Sequence, residues 1–171
     1  MSQLELSFVS QRDPGSLAIR WFTHSDFSHV DIIRGDRWRV GARSDCPNYP
    51  DGPYGVRAKC TGVVPRLGDY AVFSRDERVI ISCTDLQYQQ AWTWLRQQLG
   101  KPYDSTGLFR SFLFDDYNWR DEDKWWCSEL AAVFIEKAGF SPIATPANRV
   151  SPNDAYIYAA AMPGARVEKV L

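Results

Sequence analysis

The sequence is poor in histidine, and its few cysteines lack the spacing of a metal site. Its 171 residues include two histidines, His24 and His29, and four cysteines, none of which forms a CxxC pair. Protein zinc sites are commonly built from such pairs together with histidines. The sequence therefore predicts no metal ion and no other cofactor.

An excess of one charge and long apolar runs are also missing. The net charge is −1 and the isoelectric point is about 6.1, so the basic surface of a nucleic-acid-binding protein is not expected. No stretch approaches the roughly 18 apolar residues of a membrane-spanning helix. The start, MSQLELSFVSQRD, has neither the basic nor the apolar region of a signal peptide. We therefore expect synthesis in the cytoplasm, reduced thiols, no membrane span and no nucleic-acid partner.

Aromatic residues, in contrast, are abundant: seven Trp, eight Tyr and nine Phe. They suit a rigid core, a stacking surface for sugars or bases, or both. Trp92 and Trp94 lie two residues apart on a predicted helix, so they point to different faces and at least one should be partly exposed. The length and the apolar content of 44% predict a single globular domain over residues 1–171.

The order of predicted elements is typical of an α+β protein. Strands are predicted over residues 4–10, 55–59, 69–74 and 78–84, with a hairpin over 28–43 that turns at Gly35 and Asp36 and a loop over 46–55. Helices are predicted over 13–23, where a strand is the alternative, over 84–99 with Thr84 or Asp85 as N-cap, from 127 onward, and over 151–162 with Ser151 or Asn153 as N-cap. We expect an antiparallel sheet packed against helices.

Cys127 lies at the start of an apolar helix, in the stretch WWCSELAAVFIEKAGF over residues 125–140. The N–H groups at a helix N-terminus lower the pKa of a thiol, and an imidazole close by can take its proton. Alternatively, the thiol is an ordinary buried core residue. A nucleophilic role therefore requires a histidine from another part of the chain.

His29 is the better candidate for that base, because it begins a predicted strand, whereas His24 lies in a polar turn. A two-residue turn in the hairpin would place Ala42 opposite His29, and Ala42 cannot orient an imidazole. Ser44 would be its diagonal neighbour, and Asp31 shares the face of His29 by strand parity. Either side chain could orient the ring, as could a backbone carbonyl or a water molecule.

Three stretches resemble the circularly permuted branch of the NlpC-like, papain-fold cysteine hydrolases: FSHVDI (27–32), GKPYD (100–104) and WCSELAAVFIEKAG (126–139). This branch includes YiiX-like proteins and relatives of lecithin:retinol acyltransferase, and its histidine strand precedes its cysteine helix. The resemblance spans about residues 15–140. It implies a permuted papain-like fold with the catalytic cysteine at a helix N-terminus.

The resemblance also implies roles for individual residues. Cys127 matches the nucleophile, His29 the general base, and Tyr103 an aromatic residue that lines the cleft. The family usually places a third polar residue on the strand after the histidine, where this chain has Gly41 and Ala42.

Two further site residues are predicted from their position in the sequence. Asp31 is the candidate third catalytic residue, by its parity with His29. Trp126 is the candidate second substrate-binding residue, because one of the two tryptophans before Cys127 can line the cleft while its neighbour packs inward. Both tryptophans could instead be core residues.

The implied reaction is transfer of an acyl group to the thiol, followed by release to water or another acceptor. The expected substrate is an amide bond in a peptidoglycan stem peptide. The expected setting is a bacteriophage or a bacterium, with virion tail proteins as possible partners and a virion or the cell wall as the destination. Two alternatives stay open: a phage-particle binding module without turnover, and a lipid acyl hydrolase or acyltransferase that uses the apolar stretch 107–114.

Overall fold

The computed structural model describes residues 2–35, 37–44, 61–105, 123–141 and 144–171. Within these ranges the chain forms one six-stranded antiparallel sheet and four α-helices. The predicted α+β class, with an antiparallel sheet packed against helices, is confirmed. The loop predicted over 46–55, the strand over 55–59 and the apolar stretch 107–114 lie outside the described residues.

The sheet has β1 and β2 at its centre. Its strands, in chain order, are β1 (Ser2–Ser10), β2 (His29–Arg34), β3 (Trp38–Arg43), β4 (Gly62–Leu67), β5 (Arg75–Cys83) and β6 (Arg166–Lys169). They lie in the spatial order β4-β3-β2-β1-β5-β6, and every neighbouring pair is antiparallel. The helices are α1 (Pro14–Thr23), α2 (Asp85–Gln98), α3 (Cys127–Lys137) and α4 (Pro152–Ala160), with a short 3-10 helix at Ala147–Arg149.

Helix α3 is the centre of the helical layer. All nine residues from Cys127 to Ile135 are buried, and the helix packs against α2, α4, β2 and β3. Alternate residues of β1, Leu4, Leu6 and Phe8, belong to the same apolar core. A helix that is buried all round is held by packing rather than by solvent-exposed pairs, so its first residue, Cys127, has a fixed place in the fold.

The hairpin between β2 and β3 differs in register from the predicted one. Ile32 pairs with Val40 and Arg34 pairs with Trp38, so the connection spans residues 35–37 instead of two residues. Its first residue, Gly35, has a φ of 59°, a left-handed conformation that glycine adopts without strain. The predicted pairing of residue 29 with residue 42 is therefore wrong by one position. Extended along the two strands, the observed register places position 31 opposite position 41.

Two strands were not predicted, and one predicted strand is wrong. Strand β4 contains Pro65, which lacks the backbone donor of a central strand and is tolerated near a sheet edge. Strand β6 is short and exposed, without apolar alternation. Residues 69–74 form turns, and the strand begins only at Arg75. The prediction mistook the apolar residues of this segment for strand residues.

Helix starts follow their capping residues. Asp13 caps α1 by accepting a hydrogen bond from the Ser16 N–H at 2.9 Å. Thr84 caps α2, and Ser151 caps α4, each within a reciprocal capping box. These three predicted starts are confirmed, with Thr84 and Ser151 as the N-caps.

Replacing Thr84 with Ala should reduce the free energy of unfolding by about 1 kcal/mol, the usual contribution of an N-cap. The Thr84 hydroxyl accepts from the Gln87 N–H at 3.2 Å, and Gln87 Oε1 accepts from the Thr84 N–H at 3.0 Å. Urea denaturation measures the change. Thr93→Ala, at an exposed position in the middle of the same helix, is the control and should be neutral or stabilising. Equal losses in the two variants would contradict the capping role.

Candidate active site

Strand β2 presents His29 and Asp31 on one face, and their side chains meet. His29 Nε2 lies 2.8 Å from Asp31 Oδ1. Both residues are buried, and Asp31 has no exposed surface. Because the two residues lie two positions apart on one strand, the pleat of that strand places their side chains on the same face.

Gly41 on β3 leaves the space that this pair occupies. A Cβ atom at position 41 would lie 2.3 Å from Asp31 Oδ1 and 3.2 Å from His29 Nε2. In the sequence, Gly41 stands where the family usually has a polar residue, on the strand after the histidine. In the structure the carboxylate comes from the histidine's own strand, and the glycine makes room for it.

Tyr70 holds the other oxygen of the carboxylate. Its hydroxyl donates to Asp31 Oδ2 at 2.8 Å and accepts from Arg43 Nη1 at 2.9 Å. Arg43 Nη2 also donates to Gln11 Oε1 at 3.0 Å. Sequence reasoning missed Tyr70, because residues 69–74 looked like a strand and nothing local relates residue 70 to residue 31.

The segment that carries Tyr70 is anchored at both ends. The Gly68 N–H donates to the Arg37 carbonyl, and the Ser74 N–H donates to the Ser10 carbonyl, both at 2.8 Å. Within the segment, the rings of Tyr70 and Phe73 are 5.3 Å apart. These contacts fix the loop over the sheet and so place the Tyr70 hydroxyl on Asp31.

Asp31 is held as an anion. Burial by itself opposes ionisation, but the charge and hydrogen bond of His29, with the guanidinium groups of Arg66 and Arg43, outweigh it and keep the pKa of Asp31 well below its usual 3.8. Burial, together with the charge of Asp31, raises the pKa of Tyr70 well above 10. The phenol therefore keeps its proton and acts as a donor at neutral pH.

Cys127 is the first residue of α3. The preceding residue, Trp126, has extended backbone angles and provides no side-chain cap. The first N–H groups of a helix have no partner within the helix, and their dipoles favour a negative charge beside them. The position therefore stabilises a thiolate.

The imidazole and the thiol shift each other's pKa. Burial raises the pKa of Cys127, but the charge and hydrogen bond of His29, aided by the Val30 N–H, bring it below the usual 9.0. Burial lowers the pKa of His29, but Asp31 and Cys127 raise it above 6.5. Because Nε2 bonds to Asp31, Nδ1 is the nitrogen left for the thiol. The arrangement favours a thiolate–imidazolium pair.

A cleft of about 140 Å³ opens beside this pair. Cys127, His29 and Tyr103 line it, together with polar side chains from the start of α1 and the end of β3. Tyr103 is held there by backbone hydrogen bonds on either side of it, from the Asp104 N–H to the Trp125 carbonyl at 3.0 Å and from the Trp125 N–H to the Pro102 carbonyl at 3.1 Å. The stretches GKPYD and WWC therefore lie side by side.

Of the other residues singled out in the sequence, the two tryptophans before Cys127 are buried, Ser44 lies in the cleft and His24 is exposed. Trp126 is 1% exposed and is not among the side chains that line the cleft. Trp125 is buried as well, and its Nε1 donates to Gln98 Oε1 at 3.2 Å. Ser44 lines the cleft, whereas His24 is exposed at the end of α1.

The described ranges contain neither a metal-ligand cluster nor a membrane-spanning helix. There, no group of three or more His, Cys, Asp or Glu side chains is arranged to hold a metal ion. No helix in these ranges is both long enough and apolar enough to cross a membrane. The reactive side chains at the site are the thiol of Cys127, the imidazole of His29 and the carboxylate of Asp31.

Replacing Gly41 with Ala should displace the Asp31 carboxylate, since the added methyl group would overlap Oδ1. We expect a loss of about 1–3 kcal/mol in the free energy of unfolding, typical of an overpacked site, and slower alkylation of Cys127. Gly68→Ala is the control, because its Cβ would lie 3.7 Å from the nearest atom, the Arg37 carbonyl oxygen. Wild-type stability and thiol reactivity in Gly41→Ala would show that the close fit is unimportant.

Replacing Asp31 with Asn should destabilise the protein more at pH 7 than in acid. The lowered pKa of Asp31 means that its stabilisation is complete above the unfolded value near 3.8 and is lost as the pH falls below it. We expect a difference of about 3 kcal/mol at pH 7, as for a broken buried pair, that shrinks below pH 4. Urea denaturation at several pH values measures it.

The matched control is Asp26→Asn, because the Asp26 side chain is 72% exposed and pairs with Arg75 at the surface. Exposed ion pairs contribute about 0–1 kcal/mol, so this variant should differ little from wild type at any pH. A difference between Asp31→Asn and wild type that is the same at pH 7 and pH 3 would argue against a buried anion at position 31.

The chain matches no protein-family model, no curated protein and no solved structure. The site itself is therefore what suggests a function. Its components are a thiol at an uncapped helix start, an imidazole beside it, and a buried carboxylate behind the imidazole.

Proposed function

We propose that the protein is a cysteine hydrolase that cleaves amide bonds through an acyl-enzyme on Cys127. The observation that carries the proposal is the 2.8 Å contact between His29 Nε2 and Asp31 Oδ1 beside the buried thiol. A partner on one ring nitrogen fixes the tautomer and the orientation of the other. That is the arrangement a general base needs next to a nucleophile.

The proposed reaction begins with transfer of the thiol proton from Cys127 to His29. The sulfur attacks the carbonyl carbon of the amide, and the negative charge moves to the carbonyl oxygen. N–H groups of the first turn of α3 are the candidate donors to this oxyanion. Collapse of the intermediate breaks the C–N bond, and His29 gives its proton to the leaving amine.

Water completes the cycle. His29, now neutral, takes a proton from a water molecule that attacks the thioester carbonyl, and the carboxylic acid leaves as the thiol re-forms. Asp31 acts through His29 and is therefore a positioning residue. Its negative charge stabilises the imidazolium in each step that forms it.

We infer that the fold is a permuted papain-like fold, because the histidine strand β2 precedes the cysteine helix α3 in the chain. The order agrees with the family resemblance carried by residues 27–32, 100–104 and 126–139. By the same resemblance we propose a peptidoglycan stem peptide as the substrate, in a bacteriophage or bacterial setting.

The lining of the cleft supports an amide substrate over a lipid acyl chain. Gln11, Ser16, Ser28 and Ser44 contribute polar groups next to Cys127. The Ser16 hydroxyl donates to the Ser28 hydroxyl, and Gln11 Oε1 accepts from Arg43, so these groups form a polar wall that suits the amides of a peptide better than an alkyl chain. The described part of the cleft therefore favours a hydrolase of peptide-like amides over a lipid acyl hydrolase or acyltransferase.

Alkylation with iodoacetamide across pH, followed by peptide mapping, is the first test. Cys127 should react at pH values below 9.0, the usual pKa of a thiol, because His29 lowers the pKa of Cys127. His29→Ala should move the reaction to alkaline pH. Cys83 is an internal control, since burial raises the pKa of its thiol. Equal rates for Cys127 and Cys83 from pH 5 to pH 9 would remove the basis for the proposal.

Digestion of purified peptidoglycan, followed by mass spectrometry, tests the substrate. We expect new stem-peptide fragments from the wild type and none from Cys127→Ala. His29→Ala should be about 10²–10⁴-fold slower, the usual contribution of a general base. If Cys127 is reactive but no peptidoglycan is cleaved, the proposed substrate is wrong, whereas the proposed reaction of the thiol still stands.

A further inference from the structure

A second concave surface lies far from Cys127, between the outer face of α2 and the end of α3. It is a shallow, open groove of about 670 Å³. Helix α3 has 11 residues, so at about 1.5 Å per residue its two ends are roughly 15 Å apart. The groove is therefore separate from the catalytic cleft.

One face of α2 forms most of the groove. The spacing of its residues alternates between three and one, which is the spacing of a single helical face. Four of the six are uncharged polar side chains that are exposed. The residues of this face are Leu86, Gln89, Gln90, Thr93, Trp94 and Gln97.

Trp94 is the rigid part of this face. It is half-buried, and its ring meets Trp125 edge to face, with centroids 5.4 Å apart and planes at 84°. Trp125 is itself held by its bond to Gln98 and lies under Lys101, whose Nζ is 6.0 Å from the ring centroid. Trp94 therefore packs against a buried ring on one side and lines the groove with its remaining surface.

The polar groups of the groove suit a neutral ligand. A glutamine side chain has two N–H donors and one carbonyl acceptor, and a threonine hydroxyl both donates and accepts. The charged groups at the rim, Glu136 and Lys137, have opposite signs. Among the described residues, a charged ligand finds no net countercharge here, whereas hydroxyl groups, which also donate and accept, are matched.

A helix from a partner protein fits less well. Helix-in-groove recognition uses a continuous apolar stripe, and only Leu86 and part of Trp94 are apolar on this face. Burying the flexible glutamines against apolar residues would also leave their amides unsatisfied. A ligand with many hydroxyl groups and an apolar ring face meets both the amides and Trp94.

We propose that this groove binds a neutral oligosaccharide, with one sugar ring on Trp94 and its hydroxyl groups on Gln90, Thr93 and Gln97. The site does not depend on the proposed hydrolase activity. It accounts for the partly exposed tryptophan of the Trp92–Trp94 pair, which the catalytic cleft does not use.

Titration with chitotriose, cellotriose and maltotriose tests the proposal, monitored by tryptophan fluorescence and by saturation-transfer NMR. At least one trisaccharide should bind saturably and perturb Trp94. Thr93→Arg should weaken binding at least about tenfold, since a long charged side chain would fill the groove. Gln90→Ala, which adds no bulk, should weaken it about threefold and serves as a second variant should Thr93→Arg fail to fold.

Val72→Arg is the matched control, because Val72 is 90% exposed and lies outside the groove. Its binding should equal that of the wild type. No saturable binding of any of the three trisaccharides would overturn the proposal, as would binding that both groove variants leave unchanged. Alkylation of Cys127 in the same preparations reports on the hydrolase separately, so the two proposals can fail independently.

Discussion

The buried carboxylate of Asp31 is the constraint around which the site is built. Moving an ionised group out of water costs several kcal/mol unless charged and hydrogen-bonding partners replace the solvent. Asp31 has such partners on both oxygens: His29 on one and Tyr70 on the other, with Arg43 and Arg66 as nearby cations. His29 shares strand β2 with Asp31, whereas Arg43 comes from β3, Arg66 from β4 and Tyr70 from the loop after β4. The position of the carboxylate therefore ties β2, β3, β4 and the loop after β4 to one another.

A second constraint is the burial of α3. The helix is enclosed by the sheet and by α2 and α4, so its N-terminus cannot shift without disturbing the core. The Ser128 hydroxyl donates to the Val150 carbonyl at 2.5 Å and ties this end to the chain beyond the helix. In the proposed reaction, a thiol on a fixed helix facing an imidazole on a fixed strand is pre-organised and needs little reorganisation. The same rigidity at the other end of α3 gives the proposed saccharide groove a stable wall.

Local signals in the sequence predicted much of the secondary structure. Thr84 and Ser151 identified two helix starts, because capping depends on residues within one turn. Alternation identified β1, and β-rich runs on either side of Gly35 and Asp36 identified the hairpin of β2 and β3. Strand β4 was missed because Pro65 is compatible with a strand only at particular places in a sheet, and residues 69–74 were misread because apolar content alone does not distinguish a strand from a buried loop.

The sequence by itself determined the chemistry that the site can have. It contains two histidines, it places Cys127 at a helix start, and parity puts Asp31 beside His29 on one strand. The tertiary structure alone decided which of these groups meet and how they are charged. A one-residue change in the hairpin loop set Gly41 opposite position 31, and a loop from beyond β4 brought Tyr70 to the carboxylate. Register and long-range packing depend on the free energy of the whole sheet, which no short stretch of sequence encodes.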